Sequence, residues 1–483
     1  MNQSQRDHDV SVDAPAAVPT AGKLAGGKLG VASIVFFVVS AAAPLSVIAS
    51  GAPFSIRLGG IGAPGAIVVC GIVLILFAAG FTAMSKYVRN AGAFYAYVTR
   101  GLGSDMGNGV AVMVTGAYAL ALISFYGVLG FFTQLTMADV FGIDLPWGVW
   151  SLIALVIVTV LGHRQVDLGA RVLAVLLTAE VAILLALSLA IVIQGGPEPF
   201  SAAPFSPQSV FFAAGAGSLF VLGFGSYLGF EGTAIYAEEA VKPERTIPTA
   251  TYVAIGFLAV FYGFTYWTVV TAFGVDGILA IAQSDNFGDM VFLATEDYLG
   301  QWAAVTMRVL IVTSFLACLI AFHNACARYL FAMGRAGLLP ARLGRTHKST
   351  HSPYVASAFL SCLAALALVV TIALGGDPYL QLGIWTYSAG VVGIVVAQLV
   401  CAIAVIAFFA RDRKGHTFAR VQLAPALGAL GMGIGVTLIV SNFEVITGTT
   451  GVANWLMMAP TPLLFVVGIV AGRVRTVRAR QAQ

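Results

Sequence analysis

The 483-residue chain is 59% hydrophobic and only 10% charged, with a formal charge of +4, whereas soluble domains carry about a quarter charged residues. That excludes a water-soluble fold. Apolar runs of about 20 residues, enough for a helix to cross a hydrocarbon core, recur from one end to the other and define an all-α integral membrane protein. In chain order they cover 30–56, 63–86, 109–137, 147–162, 169–193, 209–237, 248–273, 302–333, 354–374, 380–409, 421–441 and 453–472, twelve transmembrane spans in all. Residues 1–28 are polar, Ala/Pro-rich and unpatterned, which reads as a disordered tail and not as a cleaved signal peptide.

Short cytoplasmic loops retain Lys and Arg. With the N-terminus inside, all of the 25 Lys and Arg except Arg57 and Arg308 fall on the cytoplasmic side, including the basic tail 473–483. Outside loops hold acids instead, such as Asp276, Asp285, Asp289, Glu296 and Asp297. Both termini are therefore expected in the cytoplasm, with the plasma (inner) membrane as the expected location. The positive balance is a topology signal, and no basic domain outside the membrane supports binding of nucleic acid. Cys70, Cys318, Cys326, Cys362 and Cys401 lie in apolar spans without metal-ligand spacing and read as small core residues. There is no GxSxG, HExxH or paired-Asp motif, and the histidines (His8, His163, His323, His347, His351, His416) lie mostly in loops. No catalytic residue, cofactor or metal is expected, and an enzyme is disfavoured.

Five is odd, so a second unit of five helices enters the membrane from the opposite side. Span 1 and span 6, the first of each unit, both carry interruptions: "SAAAPLSVIASGAPFS" around Pro44, and "GFGSYLGFEG" with Gly223, Gly225, Gly229 and Gly232. Matched breaks of this kind mark an inverted 5+5 repeat, here 29–195 and 207–410, followed by two peripheral helices within 420–472. Pro44 lacks an N–H and its ring clashes with the Ser40 carbonyl, while the glycines let the backbone leave helical geometry. Backbone groups freed at that depth are buried in protein or line a wet cavity. A small zwitterion suits them, its carboxylate at a half-helix N-terminus and its ammonium at a C-terminus. The plainer alternative is a proline kink and packing glycines.

The stretch "GFEGTAIYAEEAVKPERTIPTA", with Gly229, Phe230, Glu231, Glu238, Glu239, Pro243, Arg245, Ile247, Pro248 and Ala250, resembles span 6 and the following loop of the amino acid/polyamine/organocation (APC) permeases. "NACARYLFAMGRAGLLPARLGRTHKSTHSP" is similar to the family's loop after span 8, through Asn324, Arg328, Arg335, Gly337, Leu339 and Pro340. "VRNAGAFYAYVTRGLG", with Gly92, is a weaker third block. The resemblance covers almost the whole chain and implies a secondary transporter of the leucine-transporter-like fold, working by alternating access. By position it implies a substrate site at Ala42, Ala43, Leu45 and Ser46 in span 1 and at Phe224, Gly225, Ser226, Tyr227 and Gly229 in span 6. Span 1 departs from the family's common glycine-rich form, showing "AAAPLSVIASGAPF".

Two carboxylates, Glu180 and Glu231, fall inside spans, where a charge costs about 2.5 kcal/mol or more. Glu180 lies roughly 16 Å into span 5, close to mid-membrane. Some APC relatives carry a lysine near this point, and a proton on Glu180 would neutralise an acid there. Proton coupling is the favoured expectation. A sodium site on the carboxylate and a permanently protonated, hydrogen-bonded Glu stay open. Glu231 is expected in the first turn after the span 6 break, where unpaired amides favour a carboxylate; capping and a proton role both fit. Glu238 and Glu239 read as solvated charges. Arg308 is expected to snorkel to the outer interface, with an external gate to an acid such as Glu296 or Asp297 as the alternative. His323 reads as a satisfied core residue, and Tyr118, Ser124, Tyr126, Gln134, Tyr387 and Ser388 face a cavity or pack. The expected substrate is an amino acid, preferably neutral, or a small amine, imported with protons. An exchanger of the same fold and a non-transporting amino-acid sensor are the alternatives.

Overall fold

An apolar chain without water around it satisfies every backbone N–H and C=O most simply within a helix. A computed structural model describes residues 29–88, 93–164, 170–233, 240–347 and 352–481. The expectations for the 1–28 tail, for Gly92 and for Glu238 and Glu239 fall outside the described residues.

The helices follow in chain order. The first group is α1 (Val31–Ala42), α2 (Pro44–Gly59), α3 (Ala63–Met84), α4 (Ala93–Leu102), α5 (Ser104–Phe141), α6 (Trp147–Arg164) and α7 (Ala170–Gln194). Next come α8 (Pro207–Phe211), α9 (Ala216–Gly225), α10 (Pro243–Gln283), α11 (Met290–Leu299), α12 (Gln301–Arg335) and α13 (Tyr354–Ala373). A π-helical stretch, Pro378–Trp385, leads into α14 (Thr386–Arg411). The chain ends with α15 (Ala424–Ser441), α16 (Phe443–Thr447), α17 (Val452–Met458) and α18 (Pro460–Gln481). Among the described residues the only strand-like feature is one bridge, Leu29 to Ala240.

Nine helical stretches among the described residues are long and apolar enough to cross a membrane, with Val31–Met84 counted as one. That stretch turns at Ala43 and at Gly60–Gly62 and so holds two of the predicted spans. Separating them, and adding the shorter Trp147–Gly162 and the broken sixth span, returns the predicted twelve. Large apolar side chains are exposed on the outer helices, among them Val156, Val175, Leu366, Leu430 and Val466; facing lipid, they need no further cover.

α5 occupies the centre, packed against α12, α14 and α18. Close approach there depends on missing side chains: a Cβ at Gly390 would lie 2.7 Å from the Ala117 carbonyl, and one at Gly393 would lie 2.8 Å from Ala117 Cβ. α18 is more than a peripheral helix, since Gly109 takes the Phe465 ring and Arg473 pairs with Asp105 at 2.8 Å. On the other side α10 packs along α3, α1 and α2, and α9 sits between α3, α2 and α15. α10 bends at Gly274, whose φ of 70° leaves the helical region; Glu198 accepts from the Val275 N–H beyond the bend at 3.1 Å.

Candidate functional site

The first span breaks at a single residue. Ala43 stands in the left-handed region (φ 45°, ψ 72°) and its N–H turns back to the Ser40 carbonyl at 3.2 Å. Pro44 then opens α2 as its first residue, where its missing N–H is no loss and its fixed φ suits a helix start. The proline therefore starts the second half-helix more than it kinks the first. The freed groups are met from other helices. Glu180 of α7 accepts from the Leu45 N–H at 3.2 Å, and Tyr262 of α10 donates to the Ala42 carbonyl at 3.4 Å. Further along α2, Tyr266 donates to the Val47 carbonyl at 3.1 Å and Tyr379 to the Ser50 carbonyl.

The sixth span breaks over a longer stretch. After α9 the chain winds through tight turns: Tyr227 N–H bonds the Phe224 carbonyl at 3.2 Å, Leu228 that of Gly225 at 3.1 Å and Phe230 that of Tyr227 at 3.2 Å. Of the four glycines, only Gly229 needs its freedom, with φ 101°. Gly223 and Gly225 are helical and make room instead, for Cys70 Sγ and for the Tyr387 ring. Glu231 reaches back to accept from the Gly229 N–H at 3.2 Å. It is 2% exposed, and residues beyond 233 in this span are outside the described set.

Between the two breaks lies a cavity of about 70 Å³, large enough to hold ordered water. Ala41, Ala42, Ala43, Ser46, Ser50 and Gly51 line it from the first span, and Leu222, Gly225, Ser226 and Leu228 from the sixth. α5 contributes Ser124, Phe125 and Val128, and α12 contributes Phe315, Cys318 and Phe322. Tyr379, Gly383, Ile384 and Tyr387 come from the tenth span. No charged side chain is among them. Hydroxyls from Ser46, Ser50, Ser124, Ser226, Tyr379 and Tyr387 supply the polar share.

Of the expected substrate residues, Ala42, Ala43, Ser46, Gly225 and Ser226 line this cavity. Leu45, Phe224, Tyr227 and Gly229 do not: Leu45 is core, with its amide on Glu180, and the Phe224 ring fills the notch at Gly435. Tyr227 donates away from the cavity to the Ile67 carbonyl at 2.8 Å. The residues missed by sequence reasoning carry a legible signal. Phe315, Cys318 and Phe322 fall at helical spacing on one face of α12, as Ser46 and Ser50 do on α2.

Glu180 does not line the cavity but stands behind it. The cavity-lining Ser46 hydroxyl donates to Ser314 at 2.9 Å, and Ser314 is a neighbour of the Glu180 carboxylate. Glu180 is 4% exposed, and no ion pair among the described residues includes it.

Two expectations are corrected. Arg308 neither snorkels nor meets Glu296 or Asp297; its side chain is 14% exposed and pairs with Asp139 at 3.1 Å and Asp289 at 2.8 Å, over the Phe292 ring. Those acids are nearer because α5 ends at that level and the 285–289 turn folds over it. Burial raises the Asp289 carboxyl above its usual range, against the pull of Arg308. Cys362 is exposed instead of core, and Cys318 faces the cavity, because α13 shows one side to lipid and α12 one side to the centre. Tyr118, Tyr126, Gln134 and Ser388 lie off the cavity: Tyr118 stacks on Tyr329 at 5.7 Å, and Gln134 accepts from the Trp147 N–H. His323 is a core residue, 2.8 Å from the Ser357 hydroxyl.

Two discontinuous helices that meet at an uncharged cavity inside a multi-span bundle are an arrangement of the kind seen in secondary transporters. The chain matches the amino acid permease family over residues 33–482, and it belongs to that family. It is 29% identical over 410 residues to an uncharacterized transporter of Mycobacterium tuberculosis, covering 78% of this chain and 80% of the relative. To the branched-chain amino acid permease BcaP of Bacillus subtilis it is 25% identical over 169 residues, 35% of this chain and 34% of the permease. A methylthioribose transporter of the same organism is 25% identical over 288 residues, 59% of this chain and 57% of the relative. The matches to these two thus span about a third and just over half of the relatives' own lengths.

Proposed function

We propose that the protein is a proton-coupled secondary transporter that imports a neutral amino acid by alternating access across the plasma membrane, with both termini cytoplasmic. The observation that carries this reading is that Glu180, buried and in no ion pair among the described residues, holds the Leu45 amide at the first break, two residues along the chain from the cavity-lining Ala43. A buried acid without a counter-ion calls for a mobile cation. A proton reaching Glu180 would both neutralise it and change its hold on α2. Closure of the site and protonation are then one event.

The two five-helix repeats, 29–195 and 207–410, provide the halves that move against each other. The substrate's charged ends are met by the backbone at Ala41 to Ser46 and at Gly225 to Leu228, and its side chain by the rings of α5, α12 and α14. A cationic side chain would find no carboxylate among the lining residues, which favours a neutral one. Glu231 acts by capping the Gly229 turn and is a second protonation site on the cytoplasmic half.

Uptake of a labelled amino-acid panel into proteoliposomes, with and without an inward proton gradient, tests this. Wild type is expected to accumulate neutral amino acids with the gradient, and Glu180→Gln to retain exchange but lose accumulation. Unchanged accumulation in Glu180→Gln removes Glu180 from the coupling. Absence of movement for every substrate removes transport itself.

A further inference from the structure

Tyr387 reaches across the cavity from α14 and ends against the last residue of α9. A Cβ placed on Gly225 would collide with Tyr387 Oη and lie 2.7 Å from Cζ and 2.8 Å from Cε1. Neither helix has room to retreat. α14 is held on α5 through Gly390 and Gly393, and α9 is held on α15 by the Phe224 ring in the Gly435 notch. The width of the cavity at this level is therefore set by a side chain and not by backbone spacing. The other rings are occupied elsewhere: Phe125 meets Phe322 edge-on at 5.1 Å and Phe315 at 6.3 Å, and Phe315 stacks on Phe132 at 6.2 Å. Among the described residues Tyr387 touches that cluster only through Phe125, at 6.0 Å.

From this geometry we infer that the Tyr387–Gly225 contact is the size filter of the site, admitting small neutral side chains and turning away aromatic and large branched ones. The inference rests on the cavity being the substrate site of the transporter proposed above. Truncating Tyr387 opens space continuous with the cavity while leaving the Phe125–Phe322–Phe315 cluster in place. Adding a methyl at Gly225 forces the ring back into the space the substrate needs. A pocket of this kind discriminates by about tenfold or more for each group of atoms that no longer fits.

The test compares uptake of labelled L-alanine and L-phenylalanine in proteoliposomes. Wild type is expected to favour alanine, and Tyr387→Ala to raise the phenylalanine-to-alanine ratio by about tenfold or more. Tyr387→Leu, which keeps an apolar contact with Phe125, reads the same ratio if the alanine variant does not fold. Gly225→Ala is expected to lose uptake of both, and Gly225→Ala combined with Tyr387→Ala to regain it, a coupling between neighbours that independent sites would not show. An unchanged ratio in the Tyr387 variants, or normal uptake by Gly225→Ala alone, overturns the size filter while leaving transport intact. A wild type that moves no amino acid overturns the transport reading, and the filter with it.

Discussion

The two broken helices solve the same problem in opposite ways. At the first break one alanine takes a left-handed conformation, and distant side chains, Glu180 and Tyr262, satisfy the freed amide and carbonyl. At the sixth break the chain satisfies itself, through successive tight turns and a glutamate two residues from the amide it caps. The first break therefore depends on the arrangement of the helices around it, and the sixth on its own sequence. A device that must respond to protonation elsewhere in the molecule belongs at the first.

Removing the distant support sharpens that contrast most. Glu180→Leu leaves the Leu45 N–H buried without an acceptor, with an expected loss of about 1–3 kcal/mol; a thermal melt in detergent should fall, and gradient-driven uptake should disappear. Gly229→Ala places a side chain at φ 101°, a region that costs on the order of 1–3 kcal/mol for other residues. Its melt should fall while the Glu180-dependent response to the proton gradient persists in the folded fraction. Ala43→Gly relaxes the left-handed alanine and is expected to steady the break by about 1 kcal/mol; a lower melting temperature would mean that the αL conformation carries no strain. The smallest effect is expected from Glu231→Gln, whose amide oxygen still accepts from Gly229, so the melt should shift by less than about 1 kcal/mol. A collapse comparable to Glu180→Leu would show that the sixth break is not self-supporting.

The spans were readable from the sequence because hydrocarbon demands about 20 apolar residues per helix, and the two breaks because proline and clustered glycine stand out inside such runs. Part of the cavity lining was readable as well. Assigning Ala42, Ala43, Leu45 and Ser46 together could not succeed in full, since successive helical residues turn by about 100° and neighbours face different sides; Leu45 accordingly points to the core. All four glycines looked like hinge residues, yet Gly223 and Gly225 make room for Cys70 and Tyr387. Whether a glycine serves conformation or space depends on what stands opposite.

Apolar length, charge placement and the two interruptions determine by themselves that this chain is a twelve-span membrane protein whose first and sixth helices are broken. Local sequence also determines the Gly229 turn and its Glu231 cap, since both partners lie within two residues. Only the tertiary structure decides that Glu180 meets Leu45, that Ser46 meets Ser314 and that Tyr387 closes against Gly225. Those pairs are separated by more than a hundred residues, and what brings them together is helix packing around α5, which no local pattern encodes.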